Sequence, residues 1–241
     1  MAPTLRVLID GAPVETAAVE AWEDRRMRAV RKQLGLPPST ALRDHQQAEL
    51  VRAKLAMGHA ALHARFARQL RWSERFTRIS LALARGKRRM SICEIAVSEG
   101  SAERFAHWFD QRNVLNDEAA MLAACPDHFI IARDDLGRQL VMETTGGSPL
   151  ASEFTVDYED TSSLVTPADP AFPFQVAGVA RLADGLAIGG VRHQFRQEGA
   201  GFRARLTVEF PSTVMEHMAH QHCWHLAVEF SNWIKAVARE A

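Results

Sequence analysis

Residues 216–229, Glu-His-Met-Ala-His-Gln-His-Cys-Trp-His-Leu-Ala-Val-Glu, bring four histidines and two carboxylates into 14 positions. Imidazole and carboxylate are the side chains that move protons near neutral pH and ligate borderline metals. The surrounding pattern predicts a helix over residues 214–239, and at about 100° per residue its faces can be assigned. Cys223, Leu226, Phe230, Ile234 and Val237 form an apolar stripe that should anchor the helix. Met218, His222, His225, Glu229 and Ala236 form the adjoining stripe, while His217, His220, Gln221, Ser231 and Lys235 face a third way. His225 and Glu229 therefore stand one turn apart, where a ring nitrogen and a carboxylate oxygen can converge on one ion. The same spacing also suits a plain hydrogen bond with no metal.

Further ligands have to come from upstream. His128 opens a predicted strand directly after Pro126-Asp127, and Glu159 ends another in Asp157-Tyr-Glu-Asp160. Along a regular strand an inward Glu159 turns Phe154, Val156 and Tyr158 outward, so a bulge or strand end is needed there. Glu143 and Glu153 are the alternative sheet carboxylates. His193 shares strand parity with Val191 and Phe195 and should point inward, either as a proton donor or as a core histidine bonded to a backbone carbonyl. His222 could serve as an acid/base group or fill space.

The elements that must position these groups are legible from periodicity and breakers. A strand at 4–9 precedes a helix over 15–34, rich in Ala, Glu, Arg and Met and closed by Gly35-Leu-Pro-Pro. Ser39 and Thr40 offer an N-cap for a run to about residue 83, as one helix or two, in which Val51, Leu55, Leu62, Phe66 and Leu70 recur at helical spacing. The break at Arg85-Gly-Lys-Arg-Arg89 divides a mainly helical N-terminal extension, 1–87, from a second domain, 88–241. In that domain the order is strand (91–97), helix (102–111), short helix (117–124), six strands (127–134, 138–144, 152–160, 176–182, 186–197, 202–210) and the C-terminal helix. Phe202, Ala204, Leu206, Val208 and Phe210 alternate with Arg203, Arg205, Thr207 and Glu209, as expected of a sheet with one buried face.

This order resembles the helix-grip fold of START-like and pollen-allergen-like proteins. The resemblance implies an α+β architecture, an antiparallel sheet around the long C-terminal helix, with an interior cavity for apolar or aromatic molecules. Within that frame a His, a Glu 31 residues later and His-x-x-x-Glu in the last helix resemble the diacetylphloroglucinol hydrolase and phloretin hydrolase group. What this resemblance implies is zinc held by His128, Glu159, His225 and Glu229, and hydrolysis of the carbon–carbon bond between an acyl group and a phenolic ring. His193 and His222 are then the candidate catalytic residues. A metal-free START-like binding protein or polyketide cyclase is the alternative.

Lys+Arg and Asp+Glu balance at 29 each, but residues 22–89 hold 17 against 5 and residues 90–241 hold 11 against 21. Basic helices could track phosphates. Packing against an acidic domain or a second subunit neutralises both halves, so a homo-oligomer fits and nucleic acid is not the expected partner. No run approaches the roughly 18 uncharged apolar residues that span a bilayer, so a membrane partner is not expected. The first residues lack the apolar stretch of a signal peptide, and a cytoplasmic protein is expected. Three scattered cysteines without a Cys-x-x-Cys pair argue against a disulfide framework or thiolate zinc site and fit a reducing compartment. No Gly-x-Ser-x-Gly, P-loop or dinucleotide motif is present, which moves nucleotide-dependent chemistry out of the first rank.

Overall fold

Turn and cap chemistry fixes most element ends in the computed structural model, which describes residues 3–240. The first hairpin, β1 (Leu5–Ile9) and β2 (Ala12–Val14), turns through Asp10 and Gly11, both at positive φ. Helix α1 (Thr16–Leu34) stops where Gly35 adopts the left-handed conformation and its N–H caps the carbonyls of Arg31 and Lys32. Helix α2 (Arg43–Ala84) begins after Leu42 with no side-chain cap, so Ser39 and Thr40 do not start it. Gly58, at φ 71° and ψ 163°, breaks α2 into two halves. After β3 (Arg88–Val97), the Ser101 hydroxyl accepts the Arg104 N–H to cap α3 (Ala102–Val114), and the Asp117 carboxylate accepts the Ala120 N–H to cap α4 (Glu118–Leu122). A meander follows: β4 (His128–Arg133), β5 (Gln139–Glu143), β6 (Ser152–Asp157), β7 (Phe174–Arg181), β8 (Ala187–Glu198) and β9 (Gly201–Pro211). The chain closes with α5 (Glu216–Arg239).

Among the described residues these strands form one antiparallel sheet in the order β2-β1-β3-β9-β8-β7-β6-β5-β4. The protein is thus α+β, with a nine-stranded antiparallel sheet and a C-terminal helix. The apolar stripe of α5, Cys223, Leu226, Phe230, Ile234 and Val237, is buried with Ile95, Phe195, Ala204 and Leu206 of β3, β8 and β9. A second core lies on the other side of β4 and β5, where Phe129, Ile130 and Met142 meet Met27, Val30 and Leu34 of α1 and Leu50, Leu62 and Phe66 of α2. The segments on either side of the break near residue 87 share one sheet and both cores: β1 pairs with β3, and each core is built from elements of both. The outer face of β9 is less open than its arginines suggest. Glu209, 2 % exposed, accepts the backbone N–H groups of Val165 and Thr166 from the loop between β6 and β7.

A 3-10 turn, Thr145–Gly147, joins β5 to β6 and lies against α5. Gly146 has φ +56°, and a Cβ there would stand 2.7 Å from the Met218 carbonyl oxygen and 2.9 Å from the His222 nitrogen. Backbone strain and a backbone clash combine, so Gly146→Ala should destabilise the protein by about 2 kcal/mol or more. A urea midpoint unchanged from wild type would show that the turn can retreat from the helix.

Candidate metal centre and cavity

One irregularity in the sheet decides which residues meet. His128 pairs with Glu143, while Ile130 pairs with Met142, so Phe129 is an extra residue in β4. Ile131 faces the interior, and without this bulge Phe129 would share its side. With it, Phe129 joins the core against α1 and α2, and His128 turns inward beside Glu143. On β5, Gln139, Val141 and Glu143 face the interior, and on β6, Ser152, Phe154 and Val156 do, with Tyr158 just beyond the strand. That parity sends Glu153 to the other side, where it pairs with His63 at 3.1 Å. Glu159 is exposed in the turn after β6, its N–H bonded to Asp157. The sheet carboxylate facing the histidines is therefore Glu143, and the assignment of Glu159 is corrected: β6 has no bulge to turn it inward.

Four groups converge at the inner end of the cavity. His128 Nε2 lies 3.0 Å from His225 Nε2, 3.6 Å from Glu143 Oε2 and 3.3 Å from Glu229 Oε1, and His225 Nε2 lies 3.6 Å from Glu143 Oε2. Zinc bonds of about 2.0–2.2 Å to nitrogen and oxygen place tetrahedral ligands about 3.4 Å apart, which these four separations approach. His225 and Glu229 make no ion pair with each other among the described residues, so one of them has to move for all four to close on one ion. Cys125, His128 and His225 also form a buried group that could hold a metal ion, their ligand atoms within 4.8 Å of one another. Cys125 Sγ, however, stands 3.8 Å from Nδ1 of His225, the nitrogen opposite the one facing His128. One imidazole cannot turn both nitrogens to the same ion. Burial pushes the Cys125 thiol well up, with the Asp127 carboxylate adding to it, so Cys125 is a neutral neighbour of the ring.

Behind His225 stands a support that the sequence reading did not identify. The Asp127 carboxylate, fully buried, lies 3.9 Å from His225 Nδ1 and favours a proton on that nitrogen, leaving the Nε2 lone pair for the cluster. Arg26 of α1 donates to Asp127 from Nε at 2.9 Å and Nη2 at 2.8 Å, and the Thr144 hydroxyl donates at 2.6 Å. Trp22, one turn earlier on α1, meets the His225 ring edge-on at 6.4 Å. The basic N-terminal helix is thus part of the site. Its signal in the sequence was only a pair of acidic and basic residues 101 positions apart, which no local pattern connects.

The electrostatics follow from burial. Burial lifts Glu143 to about 7, with the Glu229 charge adding and His128 opposing. Burial alone would depress His128, but the Glu229 and Glu143 carboxylates outweigh it and raise its pKa. His225 is held well below its ordinary value by burial and by the His222 and His128 rings. His193 and His222 are both pulled down to about 3, chiefly by burial, and are neutral at pH 7. Both line the cavity, as does Trp233, and His193 Nδ1, His222 Nδ1 and Trp233 Nε1 have no hydrogen-bond partner in the protein. Buried polar atoms without partners on a cavity wall are places for a ligand to bond.

These histidines give a pH prediction for the metal-free protein. Their folded pKa lies below the unfolded value, so the unfolded chain binds more protons between pH 6.5 and about 3. Stability is complete above the unfolded pKa and falls with acid, by up to about 1.4 kcal/mol per pH unit per histidine. Glu143, raised from 4.5 to about 7, pulls the opposite way in its own window, so the net loss concentrates at about pH 5 and below. Urea midpoints from pH 7 to 4 measure it, and His193→Leu should flatten the acid limb. An unchanged slope in that variant would mean His193 is already charged in the folded state.

The cavity, about 650 Å³, runs from this cluster to a mouth between the second half of α2 and the β9–α5 connection. Its walls are largely apolar and carry no Lys or Arg among the described residues. No described helix is long and apolar enough to cross a membrane. Scans against protein-family models and curated proteins found no match to this chain.

Proposed function

We propose that the chain is a zinc-dependent hydrolase of helix-grip architecture that cleaves a carbon–carbon bond of an acylated phenolic or polyketide-derived compound. The observation that carries this reading is the convergence of Glu143, His225 and Glu229 on His128, whose Nε2 lies within 3.6 Å of a donor atom of each, on the floor of an apolar cavity. Its architectural support is the strand, two helices, six strands and helix that begin at β3, with β3 closing the meander against β9.

A zinc ion in this donor set supplies a Lewis acid that polarises an acyl oxygen or lowers the pKa of water. The protein's own residues do the rest. Apolar walls that include Phe109, Ile131, Val156, Phe230 and Trp233 hold a ring and exclude bulk water. The Glu143 and Glu229 carboxylates, on walls without Lys or Arg among the described residues, disfavour anionic ligands, which selects neutral phenols over carboxylic acids. His193 and His222, neutral, present unpartnered Nδ1 atoms to substrate hydroxyl or keto oxygens and can pass a proton by changing tautomer. A polyphenol ring protonated on carbon becomes a keto tautomer. Water then adds to the acyl carbon, the bond to the ring breaks, and the products are a carboxylic acid and the deacylated phenol.

The direct 3.0 Å contact between the two Nε2 atoms favours a second reading, a metal-free ligand carrier or polyketide cyclase. Plasma mass spectrometry of the purified protein, with hydrolysis of acylphloroglucinols followed by absorbance before and after chelation, separates them. A single zinc per chain and activity lost with it are expected; ligand binding with neither metal nor turnover would establish the carrier.

A further inference from the structure

The second half of α2 has three faces. Ser73, Thr77, Ser80 and Ala84 turn toward the protein; Trp72, Phe76, Ile79 and Leu83 recur at helical spacing on a second stripe; Arg68, Arg71 and Arg75 lie on a third, beside it. The apolar stripe is open to solvent, Trp72 being 46 %, Phe76 56 %, Ile79 58 % and Leu83 66 % exposed, and Met215 faces them across the cavity mouth at 73 %. Residues 71–89 hold seven Lys+Arg against one Asp+Glu. Arg78 pairs with Glu74 and Asp184, and Arg88 and Arg89 approach Glu209 and Glu216. Arg71, Arg75, Arg85 and Lys87 are exposed and make no ion pair among the described residues, and the Arg75 guanidinium lies 5.3 Å over the Trp72 ring.

The expectation of no membrane partner rests on the lack of a spanning run, which docking on a surface does not need. We infer that this ridge docks on the surface of an anionic lipid bilayer, with the cavity mouth opening onto the acyl chains. Large apolar and aromatic side chains flanked by unpaired arginines are what an interfacial helix presents to headgroups and to the layer beneath. A twofold contact through the same ridge would bring the like-charged arginines of two copies together, which disfavours a second chain as the occupant. Because Phe76, Ile79, Leu83 and Met215 line the mouth, an apolar ligand would pass between bilayer and cavity without crossing water. None of this depends on a metal or on the proposed reaction.

The test uses the full chain and two kinds of vesicle, phosphatidylcholine alone and phosphatidylcholine with phosphatidylglycerol, at low and high salt. Co-sedimentation with the anionic vesicles at low salt is expected, with little on the neutral ones. Brominated lipids should quench wild type strongly and Trp72→Phe little, since Trp22, Trp108 and Trp233 are buried and the half-buried Trp224 lies on α5, away from the ridge. Arg71→Gln with Arg75→Gln should weaken binding about thirty-fold, and Ile79→Ser with Leu83→Ser should abolish it while circular dichroism stays unchanged. Binding indifferent to these four substitutions overturns the proposal. So does failure to bind either vesicle, whether the chain is monomeric or forms a dimer that Leu83→Ser dissolves, and the dimer would assign the ridge to a second copy.

Discussion

Glu143→Gln is expected to strip the metal and to lower kcat/KM by about a thousand-fold or more, whereas Glu159→Gln should leave metal content and activity as they are. The carboxylate of Glu143 stands 3.6 Å from the Nε2 atoms of both histidines, while Glu159 is exposed in a turn. Removing one anionic ligand weakens the site directly and removes a charge that offsets the ion, and loss of the several kcal/mol a Lewis acid contributes corresponds to that rate factor. His225→Ala and Glu229→Ala should behave like Glu143→Gln. His225 needs a folding control, because it is 1 % exposed and contacts the Trp22, His128 and His222 rings, so near-ultraviolet circular dichroism should accompany the metal measurement. Retention of zinc by Glu143→Gln together with its loss in Cys125→Ser would move the centre to the Nδ1 side of His225 and overturn the assignment.

The alternation that the sequence made plain is local. Six strands after two helices, the stripes of α5 and the inward parity of His193 each depend on residues a few positions apart, and each is found where periodicity places it. His225 and Glu229 were visible for the same reason, whereas the inward turn of His128 depends on the inserted Phe129, which reverses the parity of β4 and leaves no mark in composition. Glu143 was not separable from Glu153 or Glu159, because β5 and β6 alternate regularly and only tertiary packing decides which side of each strand faces α5. Arg26 and Asp127 were hidden in the same way: a helix and a strand meet through tertiary packing, and propensity carries no information about it. The short strand β2 was missed as well. Three residues centred on Pro13 carry no strand periodicity, and only the pairing of β1 with β3 gives that hairpin a sheet edge to extend.

Arg26→Met is the substitution expected to cost the most stability, about 3–5 kcal/mol, although Arg26 belongs to a helix far from the cluster in sequence. Asp127 is wholly buried and takes two of its hydrogen bonds from this one guanidinium. Without Arg26 the carboxylate keeps the Thr144 hydroxyl but no positive partner, and an unpaired buried charge is far more costly than the intact pair is favourable. The carboxylate would then take up a proton, and the field holding a proton on Nδ1 of His225 would weaken, so metal affinity should fall with stability by about 10–100-fold. The double variant Arg26→Met with Asp127→Leu separates the two effects: it removes both charges and should recover most of the stability while leaving metal binding impaired. If the double variant instead restored metal affinity, Asp127 would have no part in orienting His225, and the ion pair would serve only to dock α1 on the sheet.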